Sequence, residues 1–301
     1  MLFGVEILSS VCYNNLIGKK GGAGMDWNLI YYLLYGFVAG LSELLPVSPI
    51  AHGYLIQRLT QFPALNPVVQ LFIHAAVFLA ILVRYWRRIG HIRHELKIAS
   101  QPAYKRKRHP DINAVLDAKV IGIGLIPLLI AIAFSGSITT KFLNLPILCV
   151  TLILGGVIVY IPQYLPGANK DSRSLSRKDG LILGFAASVG VIPGFSRIGT
   201  MMSVGLIRGC DKNYIFDIAL LASLPALAVW MIMDIIAIAL AGTVVSGILL
   251  LYGVLAAVAA AGGAFLAIAI MRYLISKSNF HDIAYYNWGI GLFGFLTYLV
   301  I

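Results

Sequence analysis

Two short stretches of this 301-residue chain, each set among apolar residues, carry the side chains able to do chemistry. The first holds Ser42, Glu43, Ser48 and His52; the second holds Ser196, Arg197 and Thr200. Arg197 follows Pro193-Gly194-Phe195-Ser196, where a helix can restart with free N–H groups at its end. Such a terminus beside a guanidinium fork suits a phosphate. Glu43 and His52 supply a carboxylate and an imidazole, the groups that a proton transfer or a divalent cation would require. Cation, acid/base pair and hydroxyls together point to phosphoryl transfer. Plainer roles exist for each. Glu43 and Arg197 could be a buried ion pair locking the two stretches, His52 a core histidine, and the hydroxyls backbone-bonding groups. Asp217 and Asp234, near the ends of apolar runs, read as structural.

The surroundings define the class. Hydrophobic residues make up 59% of the chain and charged ones only 12%, against about 25% charged in a soluble domain. Six apolar runs, 66–83, 115–134, 144–161, 215–240, 246–271 and 283–301, approach the length of about 20 residues that crosses a bilayer. Ionisable groups at such depth cost about 2.5–3.5 kcal/mol on insertion scales, so Glu43, His52 and Arg197 each require a reason. The net charge of +11 reflects basic residues in short loops between spans, which excludes nucleic acid as a partner. Cys12, Cys149 and Cys210 are isolated and imply neither a disulfide framework nor a metal cluster. Residues 1–24 lack signal-peptide design and read as an extension or a mis-assigned start before Met25.

Most of the 23 lysines and arginines fall in four clusters: residues 84–108, residues 170–178, Arg208 with Lys212, and Arg272 with Lys277. If all four are cytoplasmic, the spans between them alternate consistently only when residues 28–62 and 181–208 enter and leave on one face. The expected fold is therefore an all-α integral membrane domain over residues 25–301, with six transmembrane helices and two re-entrant helical hairpins. The hairpins break at Pro46 and Pro49, and at Pro193 and Gly194. They also match at an offset of 148: Gly36 with Gly184, Phe37 with Phe185, Ala39 with Ala187, Ser48 with Ser196, Ile50 with Ile198. Entering from opposite faces, they predict inverted repeats over about 28–162 and 180–301.

Gly40-Leu-Ser-Glu-Leu-Leu-Pro-Val-Ser48 with His52, and Pro193-Gly-Phe-Ser-Arg197 with Gly199-Thr200, resemble the two signature motifs of the undecaprenyl-diphosphate phosphatase family, the bacitracin-resistance proteins. The likeness extends from Met25 through Trp86-Arg87-Arg88 and over nearly all of the chain. It implies a plasma-membrane hydrolase that removes the terminal phosphate of a polyprenyl diphosphate, recycling the lipid carrier of envelope glycan synthesis. Glu43, His52, Arg197, Ser48 and Ser196 would be catalytic; Ser42, Gly194, Gly199 and Thr200 would bind substrate. Glu43 would hold a divalent cation, Mg²⁺ or Ca²⁺, or a proton. The expected partners are the lipid, the membrane and a second copy of the chain. The chain departs from the motifs at Ala39, Pro49, Ile50, Ala51, Ile198 and Met201, losing one of two carboxylates and several hydroxyls. A non-catalytic carrier or flippase of polyprenyl phosphate is the alternative.

Overall fold

The computed structural model describes residues 27–165 and 169–300. Cys12, Met25 and the 1–24 extension lie outside them. Within them the chain is helical, and the only β contact among these residues is an isolated bridge between Lys170 and Cys210. Helix α1 (Trp27–Leu44) stops short of Pro46, and α2 (Pro49–Thr60) restarts with Ser48 as N-cap and proline in its first turn. Proline fits there because the first N–H groups of a helix have no intrahelical acceptor. Helices α3 (Pro67–Ala99), α4 (Ile112–Ala133), α5 (Ser135–Phe142) and α6 (Leu145–Tyr160) follow. The second half repeats the pattern: α7 (Arg177–Val189), a break, then α8 (Arg197–Ile207) capped by Ser196, α9 (Lys212–Leu240), α10 (Gly247–Ser276) and α11 (Ile283–Val300).

Five helices, α3, α4, α6 with its following turn, α9 and α10, are long and apolar enough to cross a membrane. The sixth expected span is α11, whose 18 residues measure about 27 Å at 1.5 Å per residue. Two features differ from expectation. The basic residues from Arg84 to Lys97 lie on α3 itself, not in a loop, because nothing before Pro102 interrupts a run of good helix formers. The short α5 between α4 and α6 was not expected. Large apolar side chains such as Leu79, Val83, Ile126, Ile130 and Val258 face outward, as the wall of a protein bathed in lipid requires. Leu44, Ile81, Leu128, Met202 and Phe216 pack at the centre with no exposed surface to speak of.

Lipid tails are as apolar as leucine, so helices in a bilayer associate where small residues let backbones approach. Gly36 and Gly40 on α1 meet Ala256 and Ala260 on α10 so closely that a Cβ at either glycine would collide with the facing carbonyl. Gly184, which matches Gly36 at the offset of 148, meets Gly124 on α4 just as closely. Thus α1 packs on α10 and α7 packs on α4, each broken hairpin leaning on a span of the opposite half.

The four basic clusters meet at one end of the bundle. Arg88 and Arg272 both bond Asp217, and Arg88 also reaches Asp117 at 3.0 Å. Asp117 accepts from Ser172 and Tyr214, and Lys170 pairs backbone to backbone around Cys210. At the same end, Arg208 and Asp179 clamp the open legs of the second hairpin at 2.6 Å. Burial alone would raise the Asp179 carboxyl, but hydrogen bonds from the Ser176 N–H and hydroxyl and from Arg208 outweigh it and hold it down at about 2. Asp217 and Asp179 are therefore structural anchors. The glycine contacts give a direct test: Gly40→Val should lower stability by about 1–3 kcal/mol or more through overpacking. Gly122→Val, where nothing lies within 4 Å, should leave the melting temperature of the purified protein nearly unchanged.

Candidate active site

Chain that leaves helical geometry inside a bilayer must bond to protein or line a wet cavity. The two hairpin tips do this by bonding to each other. Ser48 Oγ, which caps Ala51 N at 3.3 Å, also accepts from Gly194 N at 3.0 Å across the break in the other hairpin. Ser196 Oγ caps Gly199 N at 3.1 Å and donates to Leu45 O at 3.0 Å in the first hairpin. Serines that are related by the 148 offset therefore perform the same pair of tasks on opposite sides of one contact. Gly194 has φ +101°, and a Cβ there would strike Thr151 Oγ1; only glycine fits that turn.

Across this contact Arg197 Nη2 donates to Glu43 Oε1 at 2.6 Å. The side chains are 12% and 14% exposed. Arg197 Nε is buried with no hydrogen-bond partner among the described residues. The backbone of Arg197 packs so closely on Gly190 that a Cβ there would collide with its N and Cα. The ion pair that is the plainer reading of Glu43 and Arg197 is thus present, with the buried Nε–H left over.

His52 is tied down at both nitrogens. Nδ1 lies 2.7 Å from Ser48 O, and since a carbonyl only accepts, Nδ1 carries the proton. In the neutral ring Nε2 is then the acceptor, receiving the Tyr286 hydroxyl at 2.8 Å from a ring stacked parallel to the imidazole. Ser42 and Thr200 turn back on their own helices, donating to Val38 O and Ser196 O. The structure therefore joins Glu43, Arg197, Ser48, Ser196 and Gly194 directly. His52 is linked to them through Ser48, while Gly199 supports the Ser196 cap.

Residues 32–293 match the family model described as bacitracin resistance protein BacA. The chain belongs to this family. Its relatives include proteins named undecaprenyl-diphosphatase from Methanobrevibacter smithii, 28% identical over 89% of this chain and 97% of the relative, and from Deinococcus radiodurans, 26% identical over 89% and 94%. A third, from a Nocardioides species, is 30% identical over 64% of this chain and 70% of its own length. Against the BacA motifs, the departures at Ala51, Ile198 and Met201 are all buried, and Ile198 and Met201 belong to the central apolar core. An apolar side chain is accommodated there because the position faces packed helices.

Three supporting residues were not anticipated from the sequence. Thr151 on α6 donates to Pro193 O at 2.7 Å, and Asn287 on α11 donates to Pro46 O at 3.0 Å. Each tip is held by one polar side chain from a flanking helix. Tyr286 is the third. Lone threonine, asparagine and tyrosine residues in apolar runs carry no spacing signal, although Gly190 and Gly194 mark the close approaches.

No group of three or more His, Cys, Asp or Glu side chains able to hold a metal ion occurs among the described residues, so the protein by itself offers no cage of carboxylates for Ca²⁺. One carboxylate oxygen of Glu43 remains beside the ion pair, which together with substrate phosphates is the kind of donor set Mg²⁺ uses. Removing one partner of a buried pair strands the other. Glu43→Ala and Arg197→Ala should each cost about 3 kcal/mol in detergent unfolding titrations, and the double variant should cost less than their sum by about 1–3 kcal/mol.

Proposed function

We propose that this protein hydrolyses an undecaprenyl-type polyprenyl diphosphate to the monophosphate in the plasma membrane, returning the lipid carrier to envelope glycan synthesis. Membership of the BacA family and relatives named undecaprenyl-diphosphatase support the reaction. The observation that carries it in the site is Arg197: a guanidinium in the protein interior, at a helix start, with a buried Nε donor that nothing among the described residues satisfies. A buried donor without a partner is costly, and a phosphate oxygen would meet it with a charge-assisted bond.

In this reading Arg197 grips the diphosphate and moves its positive charge from Glu43 toward the phosphoryl oxygens as charge builds there. Glu43 would otherwise repel the substrate, so it holds a proton or Mg²⁺; when bound, the cation neutralises phosphate charge. His52 is set by Ser48 O to present Nε2 as the proton acceptor. Tyr286 gives up that position to a water, whose oxygen attacks the terminal phosphorus while the bond to the bridging oxygen breaks. The products are inorganic phosphate and the polyprenyl monophosphate, and the water's proton passes to Nε2. Ser48 and Ser196 hold the tips in register, and Ser42, Gly194, Gly199 and Thr200 complete the walls.

The finer topology belongs to the same reading. Six spans with two hairpins inverted about the tip contact are supported by the matched serine caps, the matched glycine contacts and the paired holds of Thr151 and Asn287. Phosphate release from undecaprenyl diphosphate by purified protein in Mg²⁺ tests the function. Arg197→Ala should lose about 100-fold or more, Arg197→Lys should recover only part because it lacks the fork, and His52→Ala should lose about 100-fold. Tyr286→Phe should keep substrate binding and shift the pH profile. Binding of the lipid without any phosphate release by the unaltered protein would leave the carrier reading instead.

A further inference from the structure

At the basic end of the bundle a cavity of about 850 Å³ opens beside α3, lined by Val83, Arg84, Trp86, Arg87, Arg88 and, from α10, Arg272. It shares no residue with the hairpin tips. Arg88 and Arg272 are fixed in place through Asp217. Arg84 and Arg87 are exposed and pair with no carboxylate among the described residues. Four guanidinium groups thus face one lining carboxylate, Asp217, with Asp117 behind Arg88. The cavity is cationic, and Arg84 and Arg87 have no carboxylate partner among the described residues, Arg84 lying over the Tyr85 ring at 5.7 Å.

Its depth is set by the helix. Counting from Pro67 at 1.5 Å per residue, Arg84 and Arg88 lie about 26 and 32 Å along α3, close to the hydrocarbon thickness of about 30 Å. The arginines therefore reach headgroup level as the helix leaves the apolar layer. Trp86 and Val83, 66% and 65% exposed, line the same cavity, and an indole at this level is an interfacial anchor. A soluble anion would engage the guanidinium groups and leave the indole and the apolar wall unused. A phosphate head attached to acyl chains engages both.

We infer that this cavity is a binding site for the phosphate headgroup of an anionic phospholipid, held by Arg84 and Arg87 with Arg88 and Arg272 as a fixed floor, its chains running along Val83 and Trp86. The inference is independent of the proposed hydrolysis. Native mass spectrometry of the purified protein exposed to phosphatidylglycerol or phosphatidylcholine tests it. The unaltered protein should retain phosphatidylglycerol preferentially, and Arg84→Gln/Arg87→Gln should lower that preference by about fivefold per arginine. Arg177→Gln/Lys178→Gln removes the same charge from another exposed basic pair and should leave retention unchanged, while millimolar inorganic phosphate should not displace the lipid. Equal retention by the Arg84/Arg87 variant, an equal fall in the control, retention of phosphatidylcholine as well as phosphatidylglycerol, or displacement by phosphate would each overturn it.

Discussion

Backbone amides and carbonyls that leave a helix in a lipid environment have no water to bond, and everything at the centre of this protein follows from how that demand is met. Each broken hairpin satisfies the other. A serine caps the helix that restarts after its own break and uses its remaining bonding capacity on the opposite tip. Thr151 and Asn287 take one proline carbonyl each. The result is a polar node with an apolar bundle around it, built from both halves of the chain.

An ion pair within such a node has a double character. Arg197 and Glu43 neutralise one another, which lets two charges exist away from water. Their mutual hold is incomplete, since the guanidinium keeps an unmet donor. That incompleteness separates a binding group from a purely architectural one: a ligand with oxygen acceptors finds a positive group already desolvated and already oriented, so little rearrangement is needed on binding.

The parts that were legible in the sequence are those signalled by residues with strong local consequences. Pro46, Pro49, Pro193 and Gly194 lie at the helix breaks, although Pro127 and Pro225 sit inside α4 and α9, and the six apolar runs fall on α3, α4, α6, α9, α10 and α11. The meeting of Glu43 and Arg197 was legible because charges in apolar surroundings seek partners. Tyr286, Thr151 and Asn287 were not, because their contacts span 234, 42 and 241 residues and their types are ordinary in membrane helices. His52 illustrates what type alone leaves out: an imidazole near a site implied proton transfer, and the backbone carbonyl and tyrosine that orient its two nitrogens carry no sequence signal. The extension of α3 to Ala99 was obscured because charge density was taken as the mark of a loop, although arginine, lysine and glutamate are good helix formers.

The long helices α3 and α9 are fastened unequally along their length. At one end Arg88, Tyr85, Asp217 and Arg272 form a multiply bonded knot, while toward the other, among the described residues, the polar side-chain link is His74 to Asp234 at 2.6 Å, with Trp230 alongside. Polar fastening is therefore concentrated at the basic end, whereas the opposite half of α3 is held by apolar packing on α10, where Val69 and Ile73 are buried with Leu249 and Ala256.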